Sequence, residues 1–259
     1  MSRKTVLITG GAQGLGSAFA SLYAENGFDV ILADVLPVDS PQFTQSVRTA
    51  ERHGVSVQAR RCDVTSPAEV DALFTEAWER FQRLDVVIAN AGVMALGETW
   101  NLTDAQVGRS LAVNLEGVWR TNSHAVRRML RRGWGRIINV ASIAGVIGAH
   151  YHAAYCMSKF GVIGLTKTLA RELQGSGIRV NALCPSPVKS PMSETAEFIT
   201  YMNRVTGKKF RNAREMYDDP ATHFLEPETV ARMAFWLGSS EEAGTFNGRE
   251  IIMDLYGQV

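Results

Sequence analysis

The chain alternates short, apolar, β-branched runs with longer segments in which apolar residues recur at helical spacing. The short runs predict seven strands, at residues 5–9, 29–34, 56–62, 85–90, 135–141, 178–184 and 250–253. The longer segments predict crossover helices that include residues 15–26, 67–82, 104–132 and 153–174. Because strand–helix–strand crossovers are right-handed, this rhythm predicts an α/β fold with one doubly wound parallel sheet and helices on both faces.

No repeat, low-complexity tract or linker divides the chain, so we predict a single domain over residues 1–259. One long excursion, residues 186–227, separates the sixth predicted strand from the next helix and contains four prolines. Long excursions in a compact domain are usually functional loops with short helices of their own. We therefore predict that this segment, called the lid below, covers the substrate.

Composition removes several partners from consideration. With 27 basic and 26 acidic residues the net charge is +1, which provides no strong field for nucleic acid or an anionic membrane. No apolar run approaches the roughly 18 residues of a membrane helix, and the apolar start is too short for an export signal. The three cysteines have no CxxC spacing, so we expect no disulfide framework, no metal site and a cytoplasmic location.

A glycine-rich turn joins the first predicted strand to the first predicted helix. Gly10, Gly14 and Gly16 allow a tight turn, close approach of a phosphate and close helix packing, with Gln13 and Leu15 between them. The helix N-terminus supplies free N–H groups to an anion. The turn predicts nucleotide binding, with an ordinary glycine-rich turn as the alternative.

Asp34 ends the second predicted strand, 24 positions after Gly10. A carboxylate at this place in a dinucleotide-binding unit accepts hydrogen bonds from the ribose hydroxyls and repels a 2′-phosphate. The pattern therefore favours NAD over NADP as cofactor, and the alternative is a solvated turn aspartate. Turn and acid together predict a dinucleotide site more strongly than either does alone.

Tyr155 and Lys159 lie four positions apart at the start of a predicted helix, so they share one face. Ser142 follows the fifth predicted strand, at the carboxyl edge where open α/β sheets bind ligands. Lowering a phenol pKa from about 10 by about 3 units takes roughly 4 kcal/mol. The Lys159 ammonium and an oxidised nicotinamide have the right charge to supply it. We predict that Tyr155 exchanges a proton with a substrate alcohol whose oxygen Ser142 holds.

Two further motifs accompany these features, namely Asn90-Ala91-Gly92 after the fourth predicted strand and Asn114 within a helix. In order and spacing, from residue 5 to about residue 254, the whole set resembles the short-chain dehydrogenase/reductase family. The resemblance implies a Rossmann-type sheet and a catalytic tetrad of Asn114, Ser142, Tyr155 and Lys159. In that tetrad Asn114 would hold a water that links Lys159 to bulk solvent. A surface position for Asn114 is the alternative.

The resemblance also implies cofactor contacts. Asp63 would contact the adenine ring, Asn90 would steady the central strand, and Val188 and Ser190 would contact the nicotinamide carboxamide. A turn-securing role is the alternative for Asn90. The full expected set of cofactor contacts is Gly10, Gln13, Gly14, Leu15, Gly16, Asp34, Asp63, Val64, Asn90, Ala91, Gly92, Tyr155, Lys159, Pro185, Val188 and Ser190.

The substrate contacts are predicted from residues expected to line the cleft. Ser186 departs from the family, which usually has glycine there, and the serine raises the question of unusual backbone angles. The lid carries many apolar residues, which suit an apolar ligand, and a basic group that either binds a substrate anion or forms a solvated face. The expected substrate contacts are Met94, Ser142, His150, His152, Tyr155, Ser186 and Met192. A helix cap or a surface position is the alternative for His150 and His152.

These features predict an NAD-dependent oxidoreductase that interconverts a secondary alcohol and a ketone by hydride transfer. The alternatives are a catalytically silent NAD-binding regulatory protein and an NADP-dependent carbonyl reductase, with an epimerase or dehydratase on the same fold ranked below them. The expected partner is a small-molecule substrate rather than nucleic acid or membrane. Family resemblance further implies a homotetramer or homodimer built on the helices around residues 104–132 and 153–174.

Overall fold

The computed structural model describes residues 3–254, so the predicted domain of residues 1–259 extends beyond both limits. The described chain contains a seven-stranded, all-parallel sheet in the order β3-β2-β1-β4-β5-β6-β7. The strands are β1 (Thr5–Thr9), β2 (Asp29–Asp34), β3 (Val57–Arg61), β4 (Val86–Ala89), β5 (Gly135–Val140), β6 (Ile178–Pro185) and β7 (Glu250–Met253). Each strand begins and ends within one residue of its predicted bounds, and the predicted fold class is confirmed.

Helices cover both faces of this sheet. They are α1 (Gly14–Glu25), α2 (Pro41–Glu51), α3 (Pro67–Phe81), α4 (Asp104–Leu111), α5 (Gly117–Met129), α6 (Ala153–Glu172), α7 (Ala196–Thr206), α8 (Ala213–Tyr217) and α9 (Pro227–Ser239). None of the helices between residues 3 and 254 is long and apolar enough to cross a bilayer.

Alternate strand residues divide the core into two layers, as expected for strands buried on both faces. On one face Val6 and Ile8 pack against α1, α2 and α9, and on the other Leu7 packs with α3, α5 and α6. The buried Tyr23 hydroxyl joins α1 to α9 by donating to the carbonyl oxygen of Ala234 at 2.9 Å. Both layers therefore bury the sheet beneath the carboxyl ends of its strands.

The strand order reverses between β1 and β4, since β2 and β3 lie to one side of β1 and the later strands to the other. Open α/β sheets bind ligands in the crevice at such a reversal, at the carboxyl ends of the strands. Thr9 ends β1 and Ala89 ends β4, and the two residues pair in register. The glycine turn and Asn90 therefore emerge side by side.

The single helix predicted over residues 104–132 is wrong. The structure has α4 and α5 separated by a π-helical turn at Ala112–Glu116, with Asn114 inside it. The Asn114 side chain bonds the backbone of Val93, with Oδ1 accepting from the Val93 N–H and Nδ2 donating to the Val93 carbonyl, both at 2.8 Å. These contacts come from a loop 21 residues away, so helical periodicity does not reveal them.

The lid has short helices of its own, α7 and α8, as predicted. An isolated bridge between Val188 and Leu225 ties its two ends together. Inside, it forms a separate apolar cluster whose buried members are Phe198, Met202, Phe210, Met216 and Phe224. Met94 and Leu96, from the loop after β4, pack against this cluster. The lid is therefore attached to the strand end that carries Asn90.

Candidate active site

The glycine turn requires glycine at defined points. Gly10 and Gly14 have φ angles of +65° and +56°, a region that side chains other than glycine rarely adopt. A Cβ on Gly16 would lie 1.9 Å from the Gly10 carbonyl oxygen, so Gly16 lets α1 pack on the turn itself. Gln13, the N-cap residue of α1, makes no side-chain cap hydrogen bond, which leaves the first N–H groups of the helix available to an anion.

One large cavity, of about 830 Å³, extends from this turn to Tyr155. A Cβ on Gly14 would lie 3.3 Å from Cδ of Pro191 in the lid, so glycine keeps the gap between turn and lid open. An open groove leading away from an uncapped helix N-terminus fits an extended molecule with a central pyrophosphate, which is the shape of a nicotinamide dinucleotide.

Asp34 lies in this cavity and is 9% exposed. Its Oδ2 accepts from the Ala12 N–H at 3.0 Å, and its Oδ1 accepts from the Leu36 N–H at 3.1 Å. These bonds fix the carboxylate beside the glycine turn. Each oxygen still has a lone pair for a further donor, as recognition of a ribose diol requires.

Asp63 lines the cavity beyond Asp34. Burial works against its charged form, but Oδ1 accepts hydrogen bonds from the N–H and hydroxyl of Thr65, and Arg61 and Arg109 add favourable charge. Together these contacts lower the pKa of Asp63 below its usual value. The group is therefore a carboxylate at neutral pH and accepts hydrogen bonds only.

Tyr155 and Ser142 meet at the opposite end of the cavity. Their hydroxyl groups are joined by a hydrogen bond, and Ser142 Oγ also accepts from the Ala144 N–H at 3.1 Å. Burial raises the pKa of Tyr155 to about 12, although the bond to Ser142 works in the other direction. Tyr155 is therefore a neutral phenol at neutral pH and a proton donor.

Lys159 follows Tyr155 by one turn of α6 and is 2% exposed. Its Nζ donates to the Val140 carbonyl at 2.7 Å and lies 5.4 Å from the centre of the Tyr155 ring. Burial lowers the pKa of Lys159 to about 8. The charge needed to favour ionisation of Tyr155 is thus held beside its ring and inside the protein.

A narrow space connects Lys159 with Asn114. A Cβ placed on Gly92 would lie 3.4 Å from Asn114 Oδ1 and 3.8 Å from Lys159 Nζ, so the glycine leaves this space open. Asn114 is fully buried, which removes the alternative of a surface residue, and its Nδ2 also donates to Ser158 Oγ at 3.1 Å. The π-helical turn therefore places Asn114 behind Gly92, on the side that faces Lys159.

Asn90 secures the turn between β1 and α1. Its Nδ2 donates to the carbonyl oxygens of Thr9 and Gly10 at 3.0 and 2.9 Å, and its backbone N–H donates to Thr9 Oγ1 at 3.1 Å. A Cβ on Gly10 would lie 2.9 Å from the Cα of Ala91, so the two loops touch. Asn90 thus has the structural role, at the floor of the cavity.

Comparison with known proteins agrees with this arrangement. A family model described as short chain dehydrogenase matches residues 4–198. The chain belongs to the short-chain dehydrogenase family. An uncharacterized NAD-dependent oxidoreductase of Mycobacterium tuberculosis is 32% identical, covering 97% of this chain and 94% of that protein. D-beta-hydroxybutyrate dehydrogenase of Rhizobium meliloti is also 32% identical, covering 97% of both chains.

Among solved structures, a variant of actinorhodin polyketide ketoreductase with NADPH has a TM-score of 0.88 and 30% identity, covering 97% of both chains. The chain is therefore an oxidoreductase of the short-chain dehydrogenase family with a Rossmann-like sheet. The relatives named for NAD and the neighbour with NADPH both point to a nicotinamide cofactor.

The cavity of this short-chain dehydrogenase contains most of the residues predicted from sequence. Those that line it are Gly10, Gln13, Gly14, Leu15, Asp34, Asp63, Val64, Asn90, Ala91, Gly92, Met94, Ser142, His150, His152, Tyr155, Lys159, Pro185, Ser186, Val188, Ser190 and Met192. Gly16 and Asn114 do not line it, because Gly16 packs α1 on the turn and Asn114 lies behind Gly92. Sequence reasoning missed Arg109, an exposed residue of α4 that lines the cavity near Asp63.

The lid contributes apolar side chains to the lining of the cavity, including Phe198, Met202 and Val205. Its basic side chains do not line the cavity. Instead, Lys208 pairs with Asp219, Arg211 with Glu215 and Arg214 with Asp218, while the Arg204 guanidinium stacks 4.9 Å from the centre of the Tyr151 ring. These contacts favour the solvated-face reading of the basic group over anion binding.

Ser186, the position at which family resemblance leads us to expect glycine, has an ordinary backbone conformation. Among described residues other than glycine, only Gln82 and Tyr151 have positive φ angles. The Ser186 N–H donates to the Met253 carbonyl at 2.8 Å, which joins β6 to β7. Its hydroxyl is enclosed by protein and has no hydrogen-bond partner among residues 3–254, so substrate contact through Ser186 Oγ would require a rearrangement.

Proposed function

We propose that this chain is an NAD-dependent alcohol dehydrogenase or ketoreductase that interconverts a secondary alcohol and a ketone. The observation that carries the proposal is one continuous cavity with distinct ends. The glycine turn and Asp34 lie at one end, and Ser142, Tyr155 and Lys159 lie at the other. A protein that only senses the cofactor needs the glycine turn and Asp34 but does not need Ser142, Tyr155 and Lys159.

The proposed proton transfer uses Tyr155. A bound nicotinamide would accept hydride from the alcohol carbon or return it to the ketone carbon. Tyr155 takes the alcohol proton in oxidation and gives one to the ketone oxygen in reduction, while the Ser142 hydroxyl holds the same oxygen. Lys159 stabilises the phenolate by its charge. Asn114 holds a water in the space beside Gly92, through which Lys159 exchanges protons with solvent.

The remaining cavity residues hold the cofactor in this proposal. The N–H groups at the start of α1, with Gly10, Gln13, Gly14 and Leu15, bind the pyrophosphate. Asp34 binds the ribose diol, and Asp63 with Val64 contacts the adenine. The nicotinamide end is bounded by Asn90, Ala91, Gly92, Pro185, Val188 and Ser190.

Asp34 is proposed to select NAD. Its carboxylate would repel the 2′-phosphate of NADP, and two relatives of the chain are named as NAD-dependent. We predict that Asp34→Ala weakens NADH binding and brings NADPH affinity closer to that of NADH, measured by fluorescence titration. Glu51→Ala, on the exposed end of α2, is the control and leaves both affinities unchanged. An unchanged preference for NADH in Asp34→Ala would place the selectivity elsewhere, and wild-type preference for NADPH would favour the NADP-dependent reductase.

The reaction is tested with Tyr155→Phe, which keeps the ring and removes the hydroxyl. We predict a loss of turnover of at least about 100-fold with a panel of secondary alcohols and ketones, since general acid–base groups typically contribute that much. NADH affinity is expected to stay within about twofold, because the phenol hydroxyl serves the substrate. Substantial activity in Tyr155→Phe would refute this assignment of the acid/base.

The same measurements separate the alternatives. A catalytically silent regulatory protein would bind NADH and turn over no member of the panel. An epimerase or dehydratase would convert substrate without net change in NADH. Net consumption of NADH by wild-type protein, lost in Tyr155→Phe, would support the proposed reaction against both.

We also propose that the lid covers the substrate and that the chain acts in the cytoplasm as one domain, as a homotetramer or homodimer. All three cysteines are free, which fits a reducing compartment. The lid supports its proposed role by lining the substrate end of the cavity from Pro187 to Ala221.

A further inference from the structure

The reacting end of the cavity has little charge. Within the described chain, the charged residues that line the cavity are Asp34, Asp63, Arg109 and Lys159. Asp34 and Asp63 lie toward the glycine turn, and Arg109 lies close enough to Asp63 to lower its pKa. Lys159 is committed to the Val140 carbonyl and the Tyr155 ring. A substrate carboxylate or phosphate would therefore find no unpaired cation beside Ser142 and Tyr155.

One polar group at this end is unusual in its hydrogen bonding. His152 is 5% exposed and lines the cavity, and its Nδ1 lies 2.7 Å from the His150 carbonyl oxygen. A carbonyl oxygen only accepts, so the proton of the neutral imidazole lies on Nδ1. Nε2 then carries a lone pair. Among the described residues Nε2 has no partner, and unlike the Ser186 hydroxyl it is not fully enclosed.

The backbone holds this imidazole in place. Tyr151 adopts a φ of +64°, and this strained residue turns the chain so that the carbonyl of His150 faces the ring of His152. The Gly97 N–H donates to the Tyr151 carbonyl at 2.9 Å, and Gly97 forms an isolated bridge with His152. The backbone thus holds the His152 ring in one orientation, and the bond to the His150 carbonyl keeps its proton on Nδ1.

Aromatic rings complete the setting. The His152 ring packs edge-on against Tyr201 of the lid, with centroids 4.6 Å apart, and lies 6.1 Å from the Tyr155 ring. Burial lowers the pKa of His152, which keeps the imidazole neutral. His152 Nε2 therefore belongs to a ring that lies between Tyr155, the proposed acid/base, and Tyr201 of the lid.

From this geometry we infer that the substrate is an uncharged diol or hydroxyketone, and that His152 Nε2 accepts a hydrogen bond from its second hydroxyl group. The first oxygen lies at Ser142 and Tyr155, and the second sits on a neighbouring carbon within reach of His152. The apolar side chains of Met94, Met192 and Phe198 surround the hydrocarbon part. The inference rests on the proposed function and specifies its substrate class.

The test uses alcohols that differ only in the second oxygen. Cyclohexanol, the vicinal cyclohexanediols and the monomethyl ether of the vicinal diol share one ring, and only the diols offer a second donor. A matching set built on butane repeats the comparison with an open chain. With NAD as oxidant, we expect kcat/KM for at least one diol to exceed that of its ether and its plain alcohol by about tenfold, the value of one hydrogen bond.

Two variants assign this preference to Nε2. His152→Phe keeps a flat ring against Tyr201 and loses the acceptor, so the preference for the diol over the ether disappears. His152→Gln restores an acceptor oxygen and recovers part of the preference. His53→Phe, which replaces an exposed histidine remote from the cavity, keeps the wild-type ratio. A general loss of folded protein lowers kcat/KM for diol and ether equally, so it leaves their ratio unchanged.

A second readout does not depend on turnover. The chain has five histidines, and NMR of their ring nitrogens, with His152 assigned by its loss in His152→Gln, identifies the tautomer. We expect the proton on Nδ1, and a change at Nε2 when a diol is added to the protein with NADH, a pair that cannot react. The ether should leave Nε2 unchanged.

The outcomes separate this inference from the reaction it rests on. A proton on Nε2, equal rates for diol and ether, or a diol preference that survives in His152→Phe would each overturn the role of His152. Oxidation of the plain alcohols would then leave the proposed oxidoreductase function standing. Failure to bind NADH, with no oxidation of any probe, would overturn the proposed function itself.

Discussion

At the scale of single residues, Tyr155 and Lys159 have pKa values displaced in opposite directions by the same cause. Burial disfavours charge, so it raises the pKa of Tyr155 to about 12 and lowers that of Lys159 to about 8. The sequence predicts that Lys159 and an oxidised nicotinamide together lower the pKa of this phenol, and burial works against that shift. The sequence identifies the partner Lys159, but burial follows from the packing of α6 against the sheet, which a local motif does not reveal.

The raised pKa of Tyr155 and the nearby charge of Lys159 predict how turnover depends on pH. Alcohol oxidation needs the phenolate of Tyr155, so its rate rises with pH as the deprotonated fraction grows. Ketone reduction needs the neutral phenol, which predominates below about pH 12, so its rate stays level over the range measured. Lys159→Met removes the cation that favours ionisation of Tyr155, so the rate of alcohol oxidation rises only at higher pH. Near neutrality we expect that rate to drop by about 100-fold or more. The measurement is kcat for both directions between about pH 6 and 10.

The matched control is Lys167→Met, which removes a lysine two turns further along α6. Lys167 is exposed and pairs with Glu250 at 3.1 Å, away from the cavity. Its pH profile should coincide with that of the wild type. If the Lys159→Met profile also coincided with the wild type, Lys159 would have no electrostatic influence on Tyr155.

At the scale of elements, the sequence predicts the sheet better than it predicts the long helix beside it. Parallel strands buried on both faces are short continuous apolar runs bounded by polar or glycine residues, so all seven strands lie close to their predicted bounds. The π-helical turn at Ala112–Glu116 has no such local signature. It is held by the two bonds from Asn114 to Val93, which exist only once the loop after β4 is in place.

Replacing Asn114 tests whether its hydrogen bonds to Val93 stabilise the π-helical turn. Asn114→Ala would leave the N–H and carbonyl of Val93 without their partner, and we expect a loss of about 2 to 4 kcal/mol in unfolding free energy. Asn122→Ala is the control, since Asn122 is equally buried in α5 but its side-chain amide has no hydrogen-bond partner in the part of the chain that the structure describes. Denaturant unfolding of both variants gives the comparison. Equal losses would show that the bonds to Val93 do not stabilise the turn.

At the scale of the whole molecule, the sequence also predicts the cavity's two ends but not what connects them. The glycine turn, Asp34 and the Tyr155–Lys159 pair come from separate segments, and each has its own local signature. The orientation of His152 depends instead on the strained backbone of Tyr151 and its contact with Gly97. Contacts of this kind join distant segments, and no spacing along the chain encodes them.

The outer surface carries apolar side chains where self-association is expected. On α5 and α6, Trp119, Met157 and Phe160 are 53%, 50% and 48% exposed. The two regions lie close together, because a Cβ on Gly161 would be 2.8 Å from the side chain of Leu115, in the π-helical turn that leads into α5. Exposed apolar patches of this kind on a folded domain commonly mark protein interfaces.

A second copy of the chain is the partner that family resemblance implies for this surface. Burial of its apolar area would favour association by about 25 cal/mol per Å². We predict that the wild type is a dimer or tetramer at micromolar concentration by light scattering, and that Phe160→Glu shifts it toward smaller species. Val38→Glu places the same charge at a residue 47% exposed before α2 and should leave the assembly intact. A monomeric wild type, or a Phe160→Glu variant that assembles like the wild type, would contradict an interface on this face.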